Sequence, residues 1–198
     1  MKRERNMRIS RFILLAVVAL ISTFAANAQN VRKNTAFIVK VKGSSNLHDW
    51  VMEAKSGTIE ANLNLASNVS YLAGIQSLSF NLPVKNLKSE EGNLMNTRAY
   101  DALKAEKYPN ISFKLLSATP TSNSANKSTF KVVGELTISG TTKQIEMTAN
   151  ATKNADGSVI ITGTESLKMT QFGIKPPSYM FGALKVTDNL TIDYTVRL

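Results

Sequence analysis

The sequence predicts an all-β fold: eight or nine antiparallel strands that must close or stack to hide an apolar face, with one short helix among them. Three observations carry this. Residues 129–151, TFKVVGELTISGTTKQIEMTANA, alternate apolar and polar side chains on both sides of Gly140, which is the period of a strand and the mark of a hairpin with one buried face. The same alternation recurs along most of the chain, and it breaks only once, near residues 90–107. Eight antiparallel strands are the number at which a barrel either fills with side chains or keeps room for one small ligand.

The first residues are read separately. Lys2, Arg3, Arg5, Arg8 and Arg11 precede an apolar run at residues 12–25, and Ala26-Asn27-Ala28 supplies a small-x-small pattern. That order predicts a Sec signal peptide over residues 1–28, cleaved near Gln29. The run of 14 residues is shorter than the roughly 20 of a membrane span. With no cysteine in the chain, the lipoprotein form of such a signal is excluded. The expectation is a periplasmic or secreted domain at residues 29–198, long enough to bury a core without disulfides.

Part of the basic character belongs to that leader. The whole chain is +10, and residues 29–198 keep 19 Lys and Arg against 13 Asp and Glu, or +6. These charges sit mostly at the polar alternate positions of strands, as a solvated outer face does. The clustered basic stripe with interleaved aromatics that nucleic acid would need is not there, so no nucleic-acid partner is expected. A weak, transient attraction to a membrane surface with anionic head groups is compatible with the charge.

The elements follow in order. Phe37, Val39 and Val41 share one face of a strand at 36–42. Residues 43–50 turn and open a second run that reaches Lys55. Residues 58–65 place Ile59, Ala61, Leu63 and Leu65 inward, and residues 75–84 do the same with Leu78, Phe80, Leu82 and Val84. Each run ends in Gly, Asn, Ser or Pro. Between Glu90 and Lys107 the apolar residues fall near helical spacing and are followed by good helix formers. Asn96 or Thr97 can cap this helix, and Pro109 limits it. Ile111, Phe113 and Leu115 restart the strand period, and the polar stretch 119–128 reads as a surface loop. After the 129–151 hairpin, Asp156-Gly157 predicts a two-residue turn into a strand at 158–170. Residues 171–185 are too rich in Pro and Gly to pair regularly, and residues 186–198 close the sheet.

Three segments carry a family resemblance: NLMNTRAYDALKAEKYPNISFK (93–114), VVGELTISGTTKQIEM (132–147), and FGIKPP (172–177) with the final strand. In this order they resemble the YceI family. GSSNLHDW (43–50) is similar to the variant whose first turn reads Leu-His-Asp-Trp. The resemblance implies an antiparallel eight-stranded lipocalin-like barrel that encloses a polyisoprenoid lipid, or an isoprenoid quinone, and needs no other cofactor. It implies an exported binding protein rather than an enzyme. The alternative is a structural or stress-protective envelope protein whose barrel is filled and holds no lipid.

The expected cavity-lining residues are the large ones near the helix and the late loop: Phe80, Leu82, Leu94, Met95, Tyr100, Ile111, Phe113, Met169, Phe172, Tyr179, Met180 and Phe181. Methionine suits a wall that must fit an irregular chain. Alternation shows which face is buried but leaves open whether the barrel is hollow. His48, Arg98 and Lys175 are the candidate head-group contacts. His48 is the only histidine, and Asp49, its strand neighbour, points to the opposite face, so the pair is not the start of a catalytic triad. A lone histidine without cysteine makes no metal site. Trp50 reads as a barrel-end plug whose N–H stays near water or a carbonyl.

Overall fold

The computed structural model describes residues 31–66 and 68–198. The signal-peptide reading of residues 1–28 lies outside them. The alternating segments form one ten-stranded sheet in the order β1-β4-β5-β6-β7-β8-β9-β12-β2-β3. Its strands are β1 (Val31–Lys33), β2 (Ala36–Ser44), β3 (Asp49–Ala54), β4 (Thr58–Asn64), β5 (Gly74–Pro83), β6 (Asn110–Ser124), β7 (Lys127–Ile138), β8 (Thr141–Lys153), β9 (Val159–Lys168) and β12 (Asn189–Arg197). All adjacent strands are antiparallel.

The order shows that the sheet curls into a barrel. β1 lies at one edge and β2 beside the other, yet only Asn34 and Thr35 join them, a reach of at most about 10 Å. Asn34 fixes that junction: its amide donates to Gly57 O at 3.0 Å and its Oδ1 accepts from Ile59 N at 2.7 Å. The outer edge of β3 is covered in turn, because Glu53 and Lys88 exchange backbone bonds at 2.7 and 2.8 Å. Closure removes the exposed edges that an open sheet would present.

The β7–β8 hairpin pairs without interruption from Lys127↔Thr152 to Ile138↔Thr141, with Gly140 at φ 76 in the turn. The strand count is ten rather than eight or nine, because β1 is only three residues and too short to show a period. Residues 119–128 are not a loop. β6 and β7 pair through to Ser124↔Lys127, leaving only Ala125 and Asn126 as the turn. Residues 119–124 carry no alternation because all of them are exposed, so both faces of this arm meet water and backbone hydrogen bonds alone extend the ladder. Pro120 is accommodated at a register shift between Pro120 and Ser122, where a missing N–H is tolerated.

The connection at Asp156-Gly157 is wider than two residues, since β8 ends at Lys153 and β9 begins at Val159. The Asp156 carboxylate organises it by accepting from Ser158 N (2.9 Å), Ser158 Oγ (2.6 Å) and Arg197 Nη2 (2.6 Å). The segment 171–185 also pairs locally, with β10 (Ser178–Tyr179) against β11 (Leu184–Lys185).

The helix α1 spans Asn93–Ala102, with Gly92 at its N-cap and no side-chain cap. Asn96 is therefore inside the helix; it is buried, and its Oδ1 accepts from Ser89 N at 2.7 Å. The helix formers after Ala102 do not extend it, because Lys104 takes φ 53 and the chain turns toward Pro109.

The core is packed solid at one end. Leu63, Leu72, Phe130 and Val159 are at most 1% exposed. The chain between β4 and β5 lies across that end, held by Ser128 Oγ to Leu72 O (2.8 Å), Ser70 Oγ to Ala125 O (2.6 Å) and Lys153 Nζ to Val69 O (2.9 Å).

Candidate functional site

Away from that packed end, the inward side chains do not meet. They enclose a cavity of about 340 Å³, walled by alternate residues of β2, β3, β5 to β9 and β12 and covered by α1 and the segment before β12. The lumen is therefore not filled, which removes the filled-barrel premise of the alternative. Its size falls near the lower end of small-molecule sites, roughly 300–1,000 Å³.

Strand parity builds the wall. Val39 and Val41, Leu78 and Phe80, Val132 and Leu136, and Ile145 and Met147 are i, i+2 pairs that all line the space. Phe37 and Phe80 stack on one another in this wall, with centroids 5.7 Å apart. At the mouth, α1 contributes Met95, Arg98 and Ala99, and Arg98 lies 4.2 Å above the ring of Tyr179.

Of the expected lining residues, Phe80, Leu82, Met95, Ile111, Phe113, Met169, Phe172 and Tyr179 meet in this cavity. Leu94 does not, being 64% exposed on the outer side of α1. Tyr100 turns away: its hydroxyl lies between two carbonyl acceptors, Leu87 O (2.7 Å) and Lys85 O (3.0 Å), tying the helix to the 3₁₀ turn Val84–Asn86 and the residue after it. Met180 and Phe181 project into solvent, with successive φ of 52 and 54 that turn both side chains away from the barrel. Helical and loop segments lack the two-residue period, so sequence gave no direction for these four. Among the head-group candidates, His48 and Arg98 reach the mouth, whereas Lys175 is exposed and lines nothing.

His48 and Trp50, two apart on one face, both line the cavity. The imidazole Nδ1 sits 2.8 Å from the Asp49 main-chain oxygen and 3.8 Å from Glu91 Oε1, so the Asp49 carboxylate plays no part in orienting it. Trp50 differs from expectation. It is 8% exposed, and its indole N–H reaches neither water nor a carbonyl, because the ring is pressed flat on the Gly43 backbone.

The residues that sequence reasoning passed over lie on the far wall: Ile145, Met147, Ile192, Tyr194 and Glu165. Their inward parity was legible. Glu165 in particular interrupts the apolar series Val159, Ile161, Leu167, Met169. Burial raises its carboxyl above the usual range. Burial, with the Glu165 charge nearby, pushes the Tyr194 phenol up to about 12. Among the described residues no group of three His, Cys, Asp or Glu could hold a metal.

An antiparallel barrel with one helix at its mouth and an apolar cavity beneath defines the class: a lipocalin-like barrel. The particular family follows from comparison. The model of the YceI-like domain matches residues 23–198, and the chain belongs to that family. BcnA of Burkholderia cenocepacia is similar in structure at 18% identity and TM-score 0.62, covering 81% of this chain and 96% of that one. A domain from Saccharophagus degradans, described as a polyisoprenoid binding domain implicated in plant cell wall breakdown, is similar at 10% identity and TM-score 0.61, over 83% and 95%. The Campylobacter jejuni YCEI protein is similar at 19% identity and TM-score 0.54, over 71% and 80%. No curated protein matches the chain in sequence.

Proposed function

We propose that this protein is an exported, non-catalytic carrier that holds a polyisoprenoid chain in its barrel. The observation that carries the reading is the cavity itself, about 340 Å³ with an almost wholly apolar wall. Each 100 Å² of prenyl surface moved from water into such a wall contributes about 2.5 kcal/mol, so affinity needs no reactive group. The polyisoprenoid-binding description of the Saccharophagus degradans domain supports the same ligand class.

Export rests on the basic, apolar and Ala-Asn-Ala parts of residues 1–28; N-terminal sequencing of the protein from its host should begin at Gln29. A transient contact with a membrane surface has support at the rim, where Met180 and Phe181 stand in solvent directly after Tyr179 of the cavity wall. Solvent extraction of natively purified protein, followed by mass spectrometry, tests the carrier. A prenyl species at near-stoichiometric amount is expected. A clean extract, together with failure of the purified protein to take up geranylgeraniol, would overturn it.

A further inference from the structure

The wall of the cavity parts between β8 and β9. β8 and β9 pair only between Asn150–Lys153 and Val159–Thr162, although β8 starts at Thr141 and β9 runs on to Lys168. Beyond the last pair the strands diverge, and the 3₁₀ turn Met169–Phe172 packs against β8 at the far end. This leaves a bounded slot. Tyr194 crosses its lower end from β12: the ring lies on Gly163, and the hydroxyl donates to Thr148 O on β8 at 3.4 Å.

Glu165 stands next on the slot's edge. It lies opposite Ile192 in the ladder and lines the cavity with Met147 and Tyr194. It takes part in none of the ion pairs among the described residues. Its one hydrogen bond comes from the amide of its own neighbour Ser166. A half-buried carboxylate so poorly partnered is costly in an apolar wall, and such a group usually has a partner that the protein alone does not supply. An ionised carboxylate only accepts hydrogen bonds, so that partner must donate one.

We propose that Glu165, at the slot between β8 and β9, is the head-group subsite of the cavity, and that it accepts a hydrogen bond from the hydroxyl of an uncharged prenyl alcohol. The inference rests on the carrier reading and deepens it. The chain lies among Ile145, Met147 and Ile192, and the slot lets the head reach water beside Tyr194. A prenyl phosphate is disfavoured here, because two anions would share a poorly hydrated wall.

Equilibrium binding of geranylgeraniol, geranylgeranyl phosphate and the matching hydrocarbon without the hydroxyl tests this. Trp50, the only tryptophan and part of the cavity wall, serves as fluorescent reporter. The wild type is expected to prefer the alcohol over the hydrocarbon by about tenfold, the worth of one hydrogen bond to a charged group. Glu165→Leu is expected to abolish that preference and to improve binding of the phosphate while leaving the hydrocarbon's affinity no weaker. Glu165→Gln, which keeps the shape and an acceptor oxygen, should fall between the two and guards against a folding defect in the first variant. Equal affinity for alcohol and hydrocarbon in the wild type, tightest binding of the phosphate, or a preference that survives Glu165→Leu would each overturn the subsite and leave the carrier intact. Failure of all three ligands to bind the wild type would overturn the carrier, and the subsite with it.

Discussion

Trp50 and Gly43 face one another across the β2–β3 ladder, and the indole lies so close on the glycine that a Cβ there would collide with the ring. The same arrangement recurs with Tyr194 on its ladder partner Gly163, and the Phe113 ring lies as closely on Gly134, diagonally across the β6–β7 ladder. Glycine in a strand interior often marks such a close approach. Here it lets large rings lie flat against the wall instead of crossing the lumen, which is one reason the barrel stays hollow. Gly43→Ala should therefore cost about 1–3 kcal/mol by overpacking. Most of that cost should vanish in a Trp50→Leu background, as a double-mutant cycle in urea would show.

Ser128 seals the packed end. It is 2% exposed, and its hydroxyl donates to Leu72 O across the barrel floor. Ser128→Ala leaves that carbonyl buried without its donor, and the expected loss is about 1–3 kcal/mol, read from the urea midpoint. A loss near zero would mean that water replaces the bond.

Filling the lumen should separate binding from folding. Ile145 and Met147 line open space, so Ile145→Phe with Met147→Phe adds volume where there is room, at a cost below about 1.5 kcal/mol. Uptake of geranylgeraniol should fall at least tenfold with the near-ultraviolet circular dichroism retained. Unchanged uptake would place the chain elsewhere.

The raised carboxyl of Glu165 fixes the sign of a pH effect. Because burial raises its pKa in the folded protein, the folded state holds the proton more tightly than the unfolded chain. The group's stabilising contribution is thus fully present below the unfolded value and lost as pH rises through the folded one. Glu165→Gln should be more stable than the wild type at pH 7, and the difference should shrink below about pH 4. Thermal melts at the two pH values measure it.

The exposed rim gives a further expectation. Phe181 is 113% exposed, and Met180 beside it is 73% exposed. Phe181→Ser should weaken cosedimentation with anionic vesicles severalfold without changing thermal stability. Cosedimentation identical to the wild type would remove the rim from membrane contact.

Much of the fold was legible. The strict alternation of Phe130, Val132, Leu136 and Ile138 against Ile145, Met147, Ala149 and Ala151 placed a hairpin that forms in full register. Parity placed Phe80, Leu82, Ile111 and Phe113 in the cavity wall because they sit on strands; Met95, Met169, Phe172 and Tyr179 line it as well, from a helix, a 3₁₀ turn and a two-residue strand where no such rule applies. Leu94, Tyr100, Met180 and Phe181 do not line it, because a short helix and a looped segment can turn large side chains either way. Residues 119–128 misled because the ladder at 119–124 is wet on both faces and carries no hydrophobic pattern.

The sequence by itself determined the strands that alternate and which face each of them would hide, since a period of two is a local property of the chain. Tertiary structure alone decided that the barrel is packed at one end and hollow at the other, that its wall opens between β8 and β9, and that Glu165 stands at the opening. Those features depend on how far strands from distant parts of the chain tilt and diverge, and on where glycines let rings lie flat. Neither is written in the alternation of any single segment.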